Sequence, residues 1–153
     1  MSAAERPIIT DHVGATVLTA EECGELLRRH ALGRLAVSVC DLPDIFPVNY
    51  AFHCGSVVFR TSGGTKLAGA LLGRGVAFEV DGVDASSGQA WSVVVKGRAV
   101  ELEAVDERRH AGAQPVFPLQ RPPKAHFVRI EPISISGRRF ETVTPDVWAE
   151  PPR

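Results

Sequence analysis

Arg60, Thr61, Thr65 and Lys66 are the residues whose types and spacing best suit a chemical task. The run from Val57 to Ala68 reads as an apolar strand ending in a cation and a hydroxyl, then Gly63-Gly64, then a segment opening on Thr65 and Lys66. Leu67, Ala70 and Leu71 follow at helical spacing. Backbone N–H groups at such a turn, together with the helix dipole, favour an anion, and Arg60 and Lys66 add positive charge. A phosphate suits this place, although an ordinary strand–turn–helix with solvated cations has the same outline. The Gly-Lys-Ser/Thr of a Walker A loop is absent.

Other residues have two readings each. Tyr50, the only tyrosine, fits either an acid or stacking partner or a strand aromatic filling the core. Asn49 alternates with it and points to the other face. Trp91 fits a ring stack or an interface seal. Lys96, Arg138 and Arg139 fit solvated strand positions, with contact to a ligand phosphate or tail as the other use for the two arginines. His53 and His126 fit exposed positions better than haem ligation. Three cysteines, Cys23, Cys40 and Cys54, lie at irregular spacing and read as buried reduced thiols. The histidines form no H-x-x-x-H pattern, so no metal site is expected and no catalytic residue stands out.

The chain that must position these groups has 153 residues, 44% of them apolar, enough for one domain with a sizeable core. Its 17 Lys+Arg and 18 Asp+Glu give a net charge of -1 without blocks of one sign. Neither a nucleic-acid footprint nor a polybasic membrane patch is expected. No apolar run approaches a membrane span and the N-terminus lacks a signal-peptide core, which implies a soluble, cytoplasmic protein.

Residues 1–17 read as a loose arm, 18–142 as the folded domain and 143–153 as a tail. Thr19-Ala-Glu-Glu22 is a capping box, with Cys23, Leu26, Leu27 and Ala31 on one helical face and Gly33 as the stop. Strands are expected at 35–39, 45–52, 57–60, 76–80, 91–103 and 127–135, with a hairpin turn at 53–56 and a bulge at Gly97. Short helices are expected at 65–72 and after Asp106, and the prolines from 115 to 123 mark an irregular connection. Six short strands with flanking helices suit a small barrel.

In their order and spacing, these pieces resemble the split-barrel flavin-binding proteins related to pyridoxamine 5'-phosphate oxidase. The resemblance rests on residues 32–36 (Leu-Gly-Arg-Leu-Ala), 47–50 (Pro-Val-Asn-Tyr), 59–61 with 64–67, 76–81, 91–99, 128–132 and 136–139. It implies a mainly β, six-stranded split barrel that forms a homodimer, with FMN in a cleft at the subunit interface. It would place the flavin phosphate near Arg60, Thr61, Thr65 and Lys66, and the isoalloxazine along the backbone of Pro47, Val48, Asn49 and Tyr50. Trp91 and Ser92 would close the cleft from the partner subunit. The oxidase's own substrate cluster of Lys, Tyr, Arg and Ser and its C-terminal Arg-x-His find no match. The likeness is therefore to the smaller branch that includes nitroimidazole-reductase-like proteins. Related groups bind a deazaflavin coenzyme or haem on this fold. Two uses stay open: an oxidoreductase moving hydride to or from a small organic substrate, or a carrier that holds its cofactor without turnover. A purely structural dimerisation domain would leave the cations at the turn without a task.

Overall fold

The computed structural model describes residues 8–12, 14–62, 71, 73–102 and 125–142. The expected helices at 65–72 and after Asp106, the proline-rich connection and the 143–153 tail lie outside these residues, apart from Leu71 and the turn that begins at Gly73. Thr65 and Lys66 lie outside them too.

The elements are β1 (Thr16–Val17), α1 (Ala20–Arg29), β2 (Leu32–Val39), β3 (Leu42–His53), β4 (Ser56–Ser62), β5 (Gly75–Asp84), β6 (Gln89–Glu101) and β7 (Ala125–Glu141). All pairings are antiparallel, in the order β1-β7-β4-β3-β2-β5-β6, and β7 also pairs with β6. That last pairing closes β2 to β7 into a barrel, and β1 is an addition at the edge of β7. The barrel interior follows from alternation. Leu35 and Val37, Val48 and Tyr50, Val57 and Phe59, Phe78 and Val80, Val93 and Val95, and Val128 and Ile130 all turn inward and are buried.

Helix α1 covers one end of the barrel. Its capping box is formed as expected: the Thr19 hydroxyl accepts from Glu22 N at 3.2 Å, and the Glu22 carboxylate accepts from Thr19 N at 2.7 Å. Cys23 and Leu27 enter the core. The helix approaches β7 closely enough that a Cβ on Gly137 would stand 2.7 Å from Cys23 Sγ.

Several expectations are corrected. Helix α1 ends at Arg29, so Gly33 is not its stop; it lies inside β2, where an added Cβ would run into the Phe78 ring. The link between the strands expected at 35–39 and 45–52 is tighter than that spacing implies, at Cys40 and Asp41. Both have positive φ, 50° and 63°, as a two-residue hairpin demands. Cys54 (φ 48°) and Gly55 (φ 75°) make the next hairpin in the same way. Cys40 and Cys54 are therefore exposed at hairpin tips, and only Cys23 is the buried thiol expected. The last strand does not stop at Ile135 but runs to Glu141, and the end of the supposed loose arm pairs with it: Thr16 with Arg139 and Val17 with Arg138. The bulge at Gly97 is present, as a register shift in the β6–β7 ladder.

Candidate functional site

The barrel opens where β3 and β4 part. Their ladder runs from His53↔Ser56 only as far as Tyr50↔Phe59. Towards its start, β3 pairs with β2 alone, from Asn49↔Leu32 to Leu42↔Val39. Beyond Phe59, β4 pairs with β7 alone, from Arg60↔Phe127 to Ser62↔Ala125. One lip of this split carries Pro47, Val48 and Asn49, and the other carries Arg60 and Thr61. The two segments singled out from the sequence thus face each other across a gap in the ladder.

Each side chain then follows its strand. Arg60 is half-buried on the outer face, with its guanidinium carbon 5.1 Å from the Phe127 ring centroid. Arg129, on the same face of β7, is its diagonal neighbour, since its direct partner is Val58. The Nε atoms of both arginines are buried without a hydrogen-bond partner among the described residues. Burying such a donor unmatched costs free energy that an arriving anion would recover. Arg129 also binds Glu131 at 2.7 Å through Nη2. Thr61 is buried on the opposite, inner face, so of these two neighbours only Arg60 presents its side chain outward. On the facing lip Pro47 is exposed, Asn49 is half-buried on the outer face, and Val48 points into the core. The residues there fit a flat anionic ligand that lies along β3 and carries its charge to Arg60.

The Tyr50 side chain is taken up by the core. Its ring is 3% exposed and lies edge-on to Phe78, with centroids 4.8 Å apart. Its hydroxyl donates to Leu27 O at 2.8 Å, and burial pushes the phenol well above its ordinary pKa. Trp91 is used by its own chain: the ring packs on His30 at 4.7 Å and stands 2.6 Å from where a Cβ on Gly82 would be. Ser92 is half-buried on the outer face, opposite Arg138 in the ladder. The sequence reading missed Arg129 and Phe127 as neighbours of Arg60. A lone cation between Val128 and Ile130 was the available signal, because alternation sends it outward.

Lower on the same outer face, Arg34 is held between Glu79 and Asp81. Its Nε donates to Glu79 at 2.9 Å, and Nη2 pairs with both carboxylates. Burial pushes the Glu79 carboxyl above its usual range, and the pull of Arg34 does not fully offset this. Among the described residues no group of three or more His, Cys, Asp or Glu could hold a metal, and no helix is long and apolar enough to cross a membrane.

The family model described as pyridoxamine 5'-phosphate oxidase matches residues 19–139. The chain belongs to that family. An FAD binding protein from Mycobacterium smegmatis is 38% identical, with a TM-score of 0.75, over 84% of this chain and 100% of that one. A conserved protein of unknown function from Corynebacterium diphtheriae is 35% identical, with a TM-score of 0.68, over 82% and 98%. An uncharacterized protein of Mycobacterium tuberculosis, Rv0080, is 33% identical over 129 residues, covering 80% of this chain and 84% of its own length. An FAD and heme binding protein from Mycobacterium smegmatis has a TM-score of 0.66 at 16% identity, a likeness of fold alone.

Proposed function

We propose that the protein binds a flavin nucleotide in the split between β3 and β4 and uses it as an oxidoreductase, moving hydride to or from a small organic substrate. The observation that carries this reading is the parted ladder, with the orphaned Nε of Arg60 on one lip and the backbone of Pro47–Asn49 on the other. Arg60 and Arg129 hold the flavin phosphate, and Thr65 and Lys66, which follow Arg60 closely in sequence, join them. The β3 lip lies along the ring. A bound flavin supplies the hydride chemistry, while the chain orients it and excludes water. Leu32 and Ile45, 52% and 67% exposed beside this face, give a second copy an apolar surface to cover. The cleft is then completed by a homodimer.

FMN is the form that the family resemblance implies. The 38% identical relative described as an FAD binding protein supports FAD, and we favour FAD on that ground. Titration of flavin fluorescence tests the site. Arg60→Gln or Lys66→Ala should weaken FMN by about 1.5–3 kcal/mol, tenfold or more. Riboflavin, which has no phosphate, should lose much less. Equal losses would mean that these residues act through the fold. Binding of a deazaflavin coenzyme or haemin in place of any flavin would refute the cofactor.

A further inference from the structure

An open cleft of about 550 Å³ lies on the outer face of the barrel, beyond the Arg34–Glu79 pair. The ladders fix its floor. Ala36 on β2 pairs with Ala77 on β5, Ala77 with Lys96 on β6, and Lys96 with Ser134 on β7. Residues paired across a ladder share a face, so these four stand in one row across the sheet. The face is the outer one, because the strand neighbours Leu35, Val37, Val76, Phe78 and Val95 are buried in the barrel. Ile45 of β3 ends the row opposite Ala36, and the next outward pair, Ser38 and Pro43, borders it.

Shape and charge set this row apart from ordinary sheet surface. Its floor is two half-buried alanines. One wall is raised by the bulge: the register shift between Lys96 and Gly97 leaves Ile133 as the extra, unpaired residue. Ile133 and Ser134 therefore both turn outward, and Ile133 is 79% exposed. That apolar wall faces Pro43 and Ile45 across the alanines. Lys96 and Arg98, the next outward residue of β6, make no ion pair or side-chain hydrogen bond among the described residues. The carboxylates beside them in the ladders are already engaged, Glu79 by Arg34 and Glu131 by Arg129, each at 2.7 Å.

Inorganic phosphate would answer the cations and leave the apolar walls in water. A neutral apolar molecule would leave Lys96 unmatched, and a cation would be repelled. An aliphatic carboxylate uses both features: its charge meets Lys96 and the Ser134 hydroxyl, and its chain covers Ala77 and Ala36. From β6 to β3 the row crosses three strand spacings, about 14 Å, which suits a chain of medium length. We infer that this cleft binds an aliphatic carboxylate, with the head on Lys96 and the tail toward Ile45.

Calorimetric titration of octanoate into the full-length protein tests the site, with octanamide as the uncharged control. Wild type should bind octanoate about tenfold tighter than octanamide or better. Lys96→Gln should erase that difference and leave octanamide binding unchanged. Ala77→Leu, which fills the floor, should weaken both ligands, and each variant is checked for an intact thermal transition. Equal binding of octanoate and octanamide to wild type, or a Lys96→Gln loss shared by both, overturns the inference. So does an absence of octanoate binding at millimolar concentration; if Ala77→Leu then splits a wild-type dimer in sedimentation, a second copy of the chain fills the cleft instead. Octanoate binding without any flavin binding upholds this site and fails only the flavin reading above.

Discussion

Tyr50→Phe separates a chemical role for the only tyrosine from an architectural one. The last four carbonyls of a helix have no partner within it, and Leu27 lies in the last turn of α1. The Tyr50 hydroxyl donates to its carbonyl at 2.8 Å inside the core, while His30 Nδ1 sits 2.8 Å from the neighbouring Leu26 carbonyl. Removing the hydroxyl deletes one buried hydrogen bond and leaves a carbonyl with little access to water. The ring and its edge contact with Phe78 are kept. One such bond is worth about 1 kcal/mol net, and the stranded acceptor raises the cost to about 1–2 kcal/mol. For a domain of this size that lowers Tm by roughly 2–8 °C. Differential scanning fluorimetry reads the shift, and flavin titration of the same variant should return the wild-type affinity. An unchanged Tm with a large loss of flavin binding would refute the reasoning and give the Tyr50 hydroxyl a role in the site.

Gly97→Ala should be among the costliest small changes, because the new Cβ would run into the Glu131 carbonyl oxygen and stand 2.9 Å from Ile130 Cγ2. The obstacle is backbone, so about 2 kcal/mol or more should be lost in urea unfolding, and wild-type stability would show that the bulge yields. Glu79 has a folded-state pKa above its unfolded one, chiefly through burial. The native state therefore holds its proton longer, and stability falls as pH rises through the carboxylate range. Glu79→Gln should flatten that fall between about pH 4 and 7, and an unaltered slope would mean that another group causes it. With flavin bound, sedimentation at low micromolar concentration should give about 33 kDa, twice the 16.5 kDa chain. A monomer holding flavin at full strength would remove the second copy from the site.

Local chemistry made the elements legible. The Thr19–Glu22 capping box, the hairpin at Cys54 and Gly55, and the alternation of Val57, Phe59, Phe78 and Val80 each express a short-range rule, and each is in place. Placement of the phosphate side chains was legible only in part. Arg60 stands on the open face, but alternation turns Thr61 inward, and its joint role with Arg60 had come from adjacency in sequence. Tyr50 and Trp91 show a different limit. Both have partners far along the chain or at a helix end, Leu27, Phe78, His30 and Gly82, and no local pattern announces them. Cys40 and Cys54 were misplaced because their apolar flanks suggested burial. The left-handed turns that hold them depend on strand pairing, which short-range composition does not encode. Arg129 was hidden for the same reason, since its importance lies in the register that sets it diagonally across from Arg60.

The length of β7 has a consequence for how the chain is made. Ala125 to Ile130 pair with β4, Arg138 and Arg139 with β1, and Val128 to Glu141 with β6. The ring is thus locked by the segment that leaves the ribosome after every other described strand. Until then β4 and β6 present raw edges, which invite pairing with other chains. Nascent or truncated chains that stop short of Glu141 should accumulate as chaperone-bound or aggregated species, because the ring stays open until β7 has paired with β6.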